Sequence, residues 1–329
     1  MGKNDNLIEV KDLKKWFYPK QSFISKKRDP VRAVDKISFS LKKGDSVGIA
    51  GESGCGKSTT GRLLLNLLEP TSGSYTFNNI EMTEQLSKED LAYFRRNVQL
   101  MFQNPFEAMN PRFTIFQSLE EPLIIHDIGT KEERRERVIE MLEKVNLSPV
   151  ERYMYSYPHQ LSGGQLQRAV LARALIIDPL FLVADEPVSM LDVSVRAGVL
   201  NLMDEIASSM NLTTVYISHD LSLIKYLCNQ TMIMYLGAIM EKGPTEKILF
   251  EPKHPYTRVL IDAVPSTDPF EELKELNIKQ GIGSAIQAKV GCKFKDRCPF
   301  ATDKCLVVAP ELQEVDEDHF VACHYANEI

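Results

Sequence analysis

Gly51, Gly56, Lys57 and Ser58 stand at the spacing G-x-x-x-x-G-K-[ST] within Gly51-Glu-Ser-Gly-Cys-Gly-Lys-Ser-Thr59. Glycines there let the backbone wrap tightly. The N–H groups of the turn, from Ser53, Gly54 and Cys55 round to Thr59, then point inward to phosphate oxygens, and the following helix offers its positive end. Lys57 would reach the β and γ phosphates, and the Ser58 hydroxyl would complete the shell of a Mg²⁺ ion. The Cys55 side chain occupies a variable position and is read as incidental. A second chemical cluster closes an apolar run, Leu180 to Ala184, with Asp185-Glu186-Pro187. Alone, such a pair is commonly a strand end entering solvent. Beside a phosphate loop, Asp185 becomes a candidate Mg²⁺ ligand and Glu186 a candidate general base, a role that contributes about 10²- to 10⁴-fold in rate. A third segment, Leu161-Ser162-Gly163-Gly164-Gln165, opens a helix whose N–H groups make another anion cradle. One nucleotide needs only one cradle. The surplus predicts a dimer in which each triphosphate lies between the first segment of one subunit and the second segment of another, with hydrolysis as the release step.

The elements that must position these groups follow from periodicity. Leu7 to Phe17 and Ala33 to Leu41 alternate as antiparallel strands around a loop with Lys26, Lys27 and Arg28. Ser46 to Ala50 is a short buried strand, followed by the glycine-rich turn and a helix through Leu68 that ends near Pro70 to Gly73. Val138, Met141, Leu142 and Val145 recur at helical spacing in Lys131 to Leu147, and a further helix begins at Ser162 and Gly163. Strands at Leu180 to Ala184 and Thr213 to Ser218, with a helix near Val195 to Ser208 between them, have the rhythm of a parallel sheet flanked by helices. Thr231 to Tyr235 and Ala238 to Lys242 add two more strands. Beyond Phe250 come proline-punctuated turns, an acidic segment at Glu271 to Glu275 and a cysteine cluster. This predicts a domain over 1–250 and an extension over 251–329.

Bulk properties limit the function classes. The 329 residues are 43% hydrophobic and 26% charged, enough for one large domain and an appendage. A net charge of -6 gives no electrostatic reason to hold a nucleic acid. The longest apolar stretches are interrupted, as at Asp178 and Pro179, before the roughly 18 residues a spanning helix needs. The opening Met1 to Asn6 lacks the basic start and apolar core of a secretory signal, so the expected location is cytoplasmic. Any membrane role must come from a partner.

Leu161-Ser-Gly-Gly-Gln165 after Tyr157-Pro-His-Gln160 resembles the signature motif of ATP-binding cassette (ABC) ATPases, and the surrounding motifs stand in that family's order. The resemblance implies an α/β fold: a P-loop nucleotide-binding domain with a RecA-like parallel core, an antiparallel β subdomain and a helical subdomain at about 104–168. It implies that Gln103 senses Mg²⁺ and the coupled membrane subunit, that Ser189, Leu191 and Asp192 belong to the loop communicating across the dimer, and that His219 contacts the γ phosphate. It implies that Phe17 stacks on adenine, with Trp16 and Tyr18 leaving the register open. ATP and Mg²⁺ are the implied cofactors. The helical middle would be the lever whose tip docks a helix of a membrane subunit.

The tail carries its own pattern. Cys292, Cys298, Cys305 and Cys323 are spaced C-x5-C-x6-C-x17-C, while Cys55 and Cys228 sit alone. In a reducing compartment such clustering favours metal ligation over disulfides. Zinc ribbons prefer cysteines two to four residues apart, so the spacing favours a [4Fe-4S] cluster over Zn²⁺, with unligated thiols as a third reading. Lys253-His-Pro-Tyr-Thr257, Val264-Pro265 and Gly291 to Phe300 with Ala322-Cys-His324 resemble the C-terminal extension of oligopeptide and dipeptide importer ATPases. The departure from that family is Ser284 to Val290, where a proline-rich run is common. The resemblance implies a peripheral ATPase at the cytoplasmic face of the membrane, working with two transmembrane permease subunits and a solute-binding protein. Asp185 to Ser194 looks like the second member of the usual ATPase pair, hence a heterodimer. Oligosaccharide or nickel cargo is the alternative within the class. A non-transport ABC ATPase is the alternative outside it, and a non-hydrolysing clamp is disfavoured by Glu186 and His219.

Overall fold

The computed structural model describes residues 6–19, 29–83, 85–264, 278 and 290–328. The Lys26 to Arg28 loop and the Glu271 to Glu275 segment lie outside these residues, as do Pro265 and all of the Ser284 to Val290 stretch except its last residue. The chain forms two units. One, the loop unit, comprises Ile8–Leu41, Ser46–Met82 and Ile217–Ile329; the other, the carboxylate unit, comprises Thr83–Tyr216 with Lys42–Asp45 and the chain up to Leu7.

In the loop unit, β1 (Asn6–Phe17) and β2 (Val31–Lys42) are followed by β3 (Ser46–Ala50), α1 (Lys57–Leu64), β4 (Ser72–Phe77) and β5 (Ile80–Glu81). Alternating burial along β1 and β2 produces one half of a four-stranded sheet, ordered β2-β1-β4-β5, with β1 antiparallel to β4. That is the antiparallel sheet expected from the period-two pattern. The predicted helix to Leu68 is shorter: α1 stops at Leu64 because Asn66 turns left-handed (φ 52°) and the Leu67 N–H bonds back to the Arg62 carbonyl at 2.9 Å. Asparagine tolerates that conformation better than most residues, so it closes the helix where apolar periodicity would have carried it on.

The carboxylate unit contains α2 (Lys88–Asn97), β6 (Val98–Met101), α3 (Ile115–Ile125), α4 (Lys131–Lys144), α5 (Val150–Met154), α6 (Gly163–Leu175), β7 (Phe181–Asp185), α7 (Val193–Ser209) and β8 (Thr213–Ile217). Strand β6 runs parallel to β7. Phe181 to Ala184 are all buried, the pattern of a strand covered on both faces. The helical stretch starts each main helix with a capping box: Thr114 with Gln117 on α3, Thr130 with Glu133 on α4, and Ser162 with Gln165 on α6. Val138, Met141, Leu142 and Val145 are buried, as their spacing predicts.

The chain then returns to the loop unit with α8 (Leu221–Leu227), β9 (Gln230–Tyr235), β10 (Ala238–Pro244), α9 (Thr245–Phe250), α10 (Pro255–Asp262), α11 (Asp303–Val307), β11 (Gln313–Asp316) and β12 (His319–Val321). Strand β3 is parallel to β9, and β10, β12 and β11 continue antiparallel in that order. The cysteine-rich segment therefore does not stand apart as the expected appendage: its last strands extend the sheet of the loop unit. Sequence periodicity missed β11 and β12 because they are only four and three residues long.

One buried carboxylate locks this continuation. Glu241 on β10 is 0% exposed, accepts the N–H groups of Lys253 (2.7 Å) and His254 (3.0 Å), and lies 2.7 Å from Nε2 of the buried His319 on β12. Replacing Glu241 by alanine strands these buried donors, which is expected to cost about 3 kcal/mol. Urea unfolding of Glu241→Ala should show a markedly lower midpoint, and an unchanged midpoint would refute this account.

Candidate functional site

The phosphate loop connects β3 to α1, and its shape depends on missing side chains. Gly51 and Gly56 have φ of 147° and 110°, and a Cβ on them would lie 2.2 Å from the Met234 carbonyl oxygen and 2.1 Å from that of Ala33. Both clashes are with backbone, so neither relaxes cheaply. The turn before β10 holds the loop from behind: the Gly237 N–H donates to the Cys55 carbonyl, and the Asp35 N–H to the Gly237 carbonyl, each at 2.8 Å. Ser53 and Gly54 form an exposed crest. No side chain caps α1, which leaves the helix start to an anion. Lys57 is buried, and its Nζ donates to the Gly51 (2.8 Å) and Glu52 (3.1 Å) carbonyls. An arriving phosphate would compete with those carbonyls for the ammonium. Burial pushes the Cys55 thiol upward against the pull of Lys57, so it stays protonated and unreactive.

His219 is exposed just after β8, and Asp220 beside it caps α8 through the Ser222 and Leu223 N–H groups. Among the three neighbouring aromatics, Trp16 is occupied structurally: its indole N–H donates to Asp35 at 3.2 Å, and the Arg32 guanidinium stacks 4.5 Å from its ring centroid. Phe17 and Tyr18 remain exposed, at 42% and 64%.

In the carboxylate unit, β7 delivers Asp185 and Glu186 half-buried to its C-terminal end. Glu186 has φ 47°, a left-handed conformation that costs a glutamate about 1 kcal/mol or more. The surroundings over-determine it. Gln103 Nε2 donates to Glu186 Oε2 at 2.8 Å, the Ser189 N–H and hydroxyl both bond the Glu186 carbonyl (3.2 and 3.1 Å), and the Gln167 amide donates to the Pro187 carbonyl. Sequence reasoning missed both the strain at Glu186 and the part played by Gln167, a buried glutamine on α6.

The signature segment lies against the loop that follows Glu186. Ser162 caps α6 by accepting the Gln165 N–H, and the Gln165 side chain accepts the Ser162 N–H at 3.0 Å and donates to the Tyr153 hydroxyl at 3.2 Å. Leu161 is buried, whereas Ser162 and Gly163 face solvent. A Cβ on Gly164 would come within 2.4 Å of Val195 Cγ1, and one on Gly163 within 3.4 Å of Leu191. The two glycines thus let α6 approach Ser189 to Asp192 and the first turn of α7 closely. Gln103, Glu186, Ser189 and the signature helix form one packed set within this unit.

In the tail, Cys292, Cys298, Cys305 and Cys323 line one small cavity with His254, Phe294 and other side chains, and among the described residues no carboxylate lines it. None of the six cysteines forms a disulfide. Burial pushes the Cys292 thiol up to about 12 and that of Cys323 upward as well. The expected four-thiolate centre is not formed as such: among the described residues no group of three or more His, Cys, Asp or Glu side chains has the arrangement of a metal site. A cation is what draws sulfurs together as thiolates.

Comparison with known proteins agrees with these features. The ABC transporter family profile matches residues 34–189, and that of the oligopeptide/dipeptide transporter C-terminal region matches residues 240–305. The oligopeptide transport ATP-binding protein AppF of Bacillus subtilis is 43% identical over 97% of this chain and 97% of its own length. The dipeptide transport ATP-binding protein DppF of Haemophilus influenzae is 43% identical over 98% of this chain and 97% of its own. Among solved structures, the ATP-binding cassette MJ0796, seen as a dimer in a post-hydrolysis state with ADP and Pi, is 29% identical with a TM-score of 0.63, covering 72% of this chain and 98% of that one. The chain belongs to the ABC transporter family of ATP-binding proteins, in the group that carries the oligopeptide/dipeptide transporter C-terminal region.

Proposed function

We propose that this chain is the ATP-hydrolysing subunit of an ABC importer that takes up oligopeptides or dipeptides through separate membrane subunits. The observation that carries the reading is the Gln103 amide on the Glu186 carboxylate, at the end of a buried strand in a chain that also bears a complete phosphate loop. A carboxylate held in that way can orient and deprotonate an attacking water. The peptide cargo rests on the names of the relatives and on the C-terminal region they share.

The roles follow from the chemistry of each group. Lys57 and the loop N–H groups of Gly51 and of Ser53 to Thr59 would bind the phosphates, and Ser58, Asp185 and Gln103 would hold Mg²⁺. Glu186 is the base, His219 contacts the γ phosphate and Phe17 stacks on adenine. Ser162, Gly163 and Gly164 act on the nucleotide of a partner ATPase, and Ser189, Leu191 and Asp192 carry the signal across that interface. The dimeric state of the similar cassette MJ0796 supports such an arrangement. The partner is a second, related ATPase, and both dock on two permeases served by a solute-binding protein. Among the described residues no helix is long and apolar enough to cross a membrane, which suits a subunit held peripherally, at the cytoplasmic face. Preferential binding of ATP to the closed dimer supplies the free energy that moves the permeases. The tail cavity is the proposed seat of a [4Fe-4S] cluster on Cys292, Cys298, Cys305 and Cys323, or of Zn²⁺. Four thiols and no carboxylate match the donor set of either. Such a centre would staple four points of the tail.

Phosphate release from the assembled complex tests the activity: Glu186→Gln should lower turnover by about 10²- to 10⁴-fold while MgATP still binds. Equal low rates in wild type and variant would overturn hydrolysis. With ATP, Glu186→Gln should co-purify as a dimer with the second ATPase, and a tight homodimer that ignores it would overturn the pairing. Anaerobic purification should yield iron and sulfide in stoichiometric amounts, and zinc without iron would replace the cluster assignment.

A further inference from the structure

Glu52 is the one carboxylate inside the phosphate loop, and the tail reaches it directly. Nη1 of Arg297 donates to both Glu52 carboxylate oxygens, at 2.9 and 2.8 Å, and lies 3.4 Å from the Tyr235 hydroxyl. The guanidinium carbon sits 5.7 and 5.8 Å from the ring centroids of Tyr235 and Phe294, which hold it in place. Those rings pack with Tyr256, and the Tyr256 hydroxyl accepts the Glu52 N–H at 2.9 Å. Both the backbone and the side chain of Glu52 are therefore held by residues that follow β10. On its other side, the Glu52 carbonyl is one of the two acceptors of Lys57 Nζ.

We propose that the C-terminal segment sets the nucleotide affinity of the phosphate loop, with Arg297 and Tyr256 acting as positioning residues through Glu52. The inference rests on the ATPase reading above. Its physical basis is charge and geometry. A carboxylate in a loop that must receive a triphosphate repels the ligand, and an adjacent guanidinium cancels that repulsion. Holding the Glu52 N–H on the Tyr256 hydroxyl turns it away from the phosphates, so the loop presents the N–H groups of its crest instead. A second tether runs in parallel. Lys293 Nζ lies 2.7 Å from Asp35, whose own N–H bonds the Gly237 carbonyl behind the loop. Burial alone would raise the Asp35 carboxyl, but Lys293 and Arg32 hold it below its usual range. Lys293 follows Cys292 and Arg297 precedes Cys298, so both tethers leave from the loop that carries the first two cysteines.

The test is a double-mutant cycle on the full chain, read as the Kd of a fluorescent ATP analogue with Mg²⁺ and, in the assembled importer, as KM against kcat for ATP. Arg297→Gln should weaken binding by roughly three- to tenfold and raise KM, with kcat changed less than twofold. Adding Glu52→Gln to Arg297→Gln should restore the affinity, since the uncompensated charge is gone, and Arg297→Lys should retain most of it. Tyr256→Phe should weaken binding in the same direction. A general loss of folding would not be rescued by Glu52→Gln, so failure of that rescue overturns the proposal. So does an Arg297→Gln chain that binds as tightly as wild type. A wild-type chain that does not bind MgATP would overturn the ATPase reading and this inference together.

Discussion

The phosphate loop keeps its shape through backbone packed on backbone. Gly51 sits against the Met234 carbonyl, Gly56 against that of Ala33, and Gly237 bridges Cys55 to Asp35. No side chain could stand at either glycine without moving a strand. The constraint makes the loop a property of three separated stretches: the start of β2, the β3–α1 turn and the β9–β10 turn. Lys57 depends on it too, because its ammonium is parked on carbonyls that only this wrap brings together.

The carboxylate unit reaches the same end by storing strain. Glu186 is held left-handed by bonds from Gln103, Ser189 and, through the next residue, Gln167. These come from the segment after β6, the turn after β7 and the middle of α6. Helix α6 begins with the signature glycines, whose lack of side chains lets Leu191 and Val195 close in. The start of α6 and the turn after Glu186 thus pack together inside one unit. That packing links the exposed start of α6 to the residue proposed as base.

The tail is built into the loop unit. Strands β12 and β11 extend the sheet beyond β10, and the buried Glu241 ties β10, the entry to α10 and His319 into one hydrogen-bonded group. Breaking such a group would leave buried donors without acceptors, a cost that opposes local opening. The aromatic group of Tyr235, Tyr256 and Phe294 rests on that framework and carries Arg297 to the phosphate loop.

What the sequence determined by itself was local chemistry. The spacing of Gly51, Gly56, Lys57 and Ser58, the Asp185-Glu186 pair after an apolar run, and the Ser162-Gly-Gly-Gln165 helix start could each be read from residue types, because turns, caps and buried strands are set by near neighbours. The strands around the phosphate loop and the Asp185-Glu186 pair, and the helices at Lys131 and Ser162, were legible for the same reason, whereas β4, α2, β6, α3, β11 and β12 were not placed and one asparagine ended α1 against the apolar period. Tertiary structure alone decided the rest. It put Gln103 on Glu186, 83 residues away, bent Glu186 into a strained turn, and used Trp16 for Asp35 while leaving Phe17 exposed. It also joined the tail to the sheet and Arg297 to Glu52, 245 residues apart. Contacts between distant segments leave no period in the sequence. They arise only when the folded backbone brings an acceptor and a donor within about 3 Å.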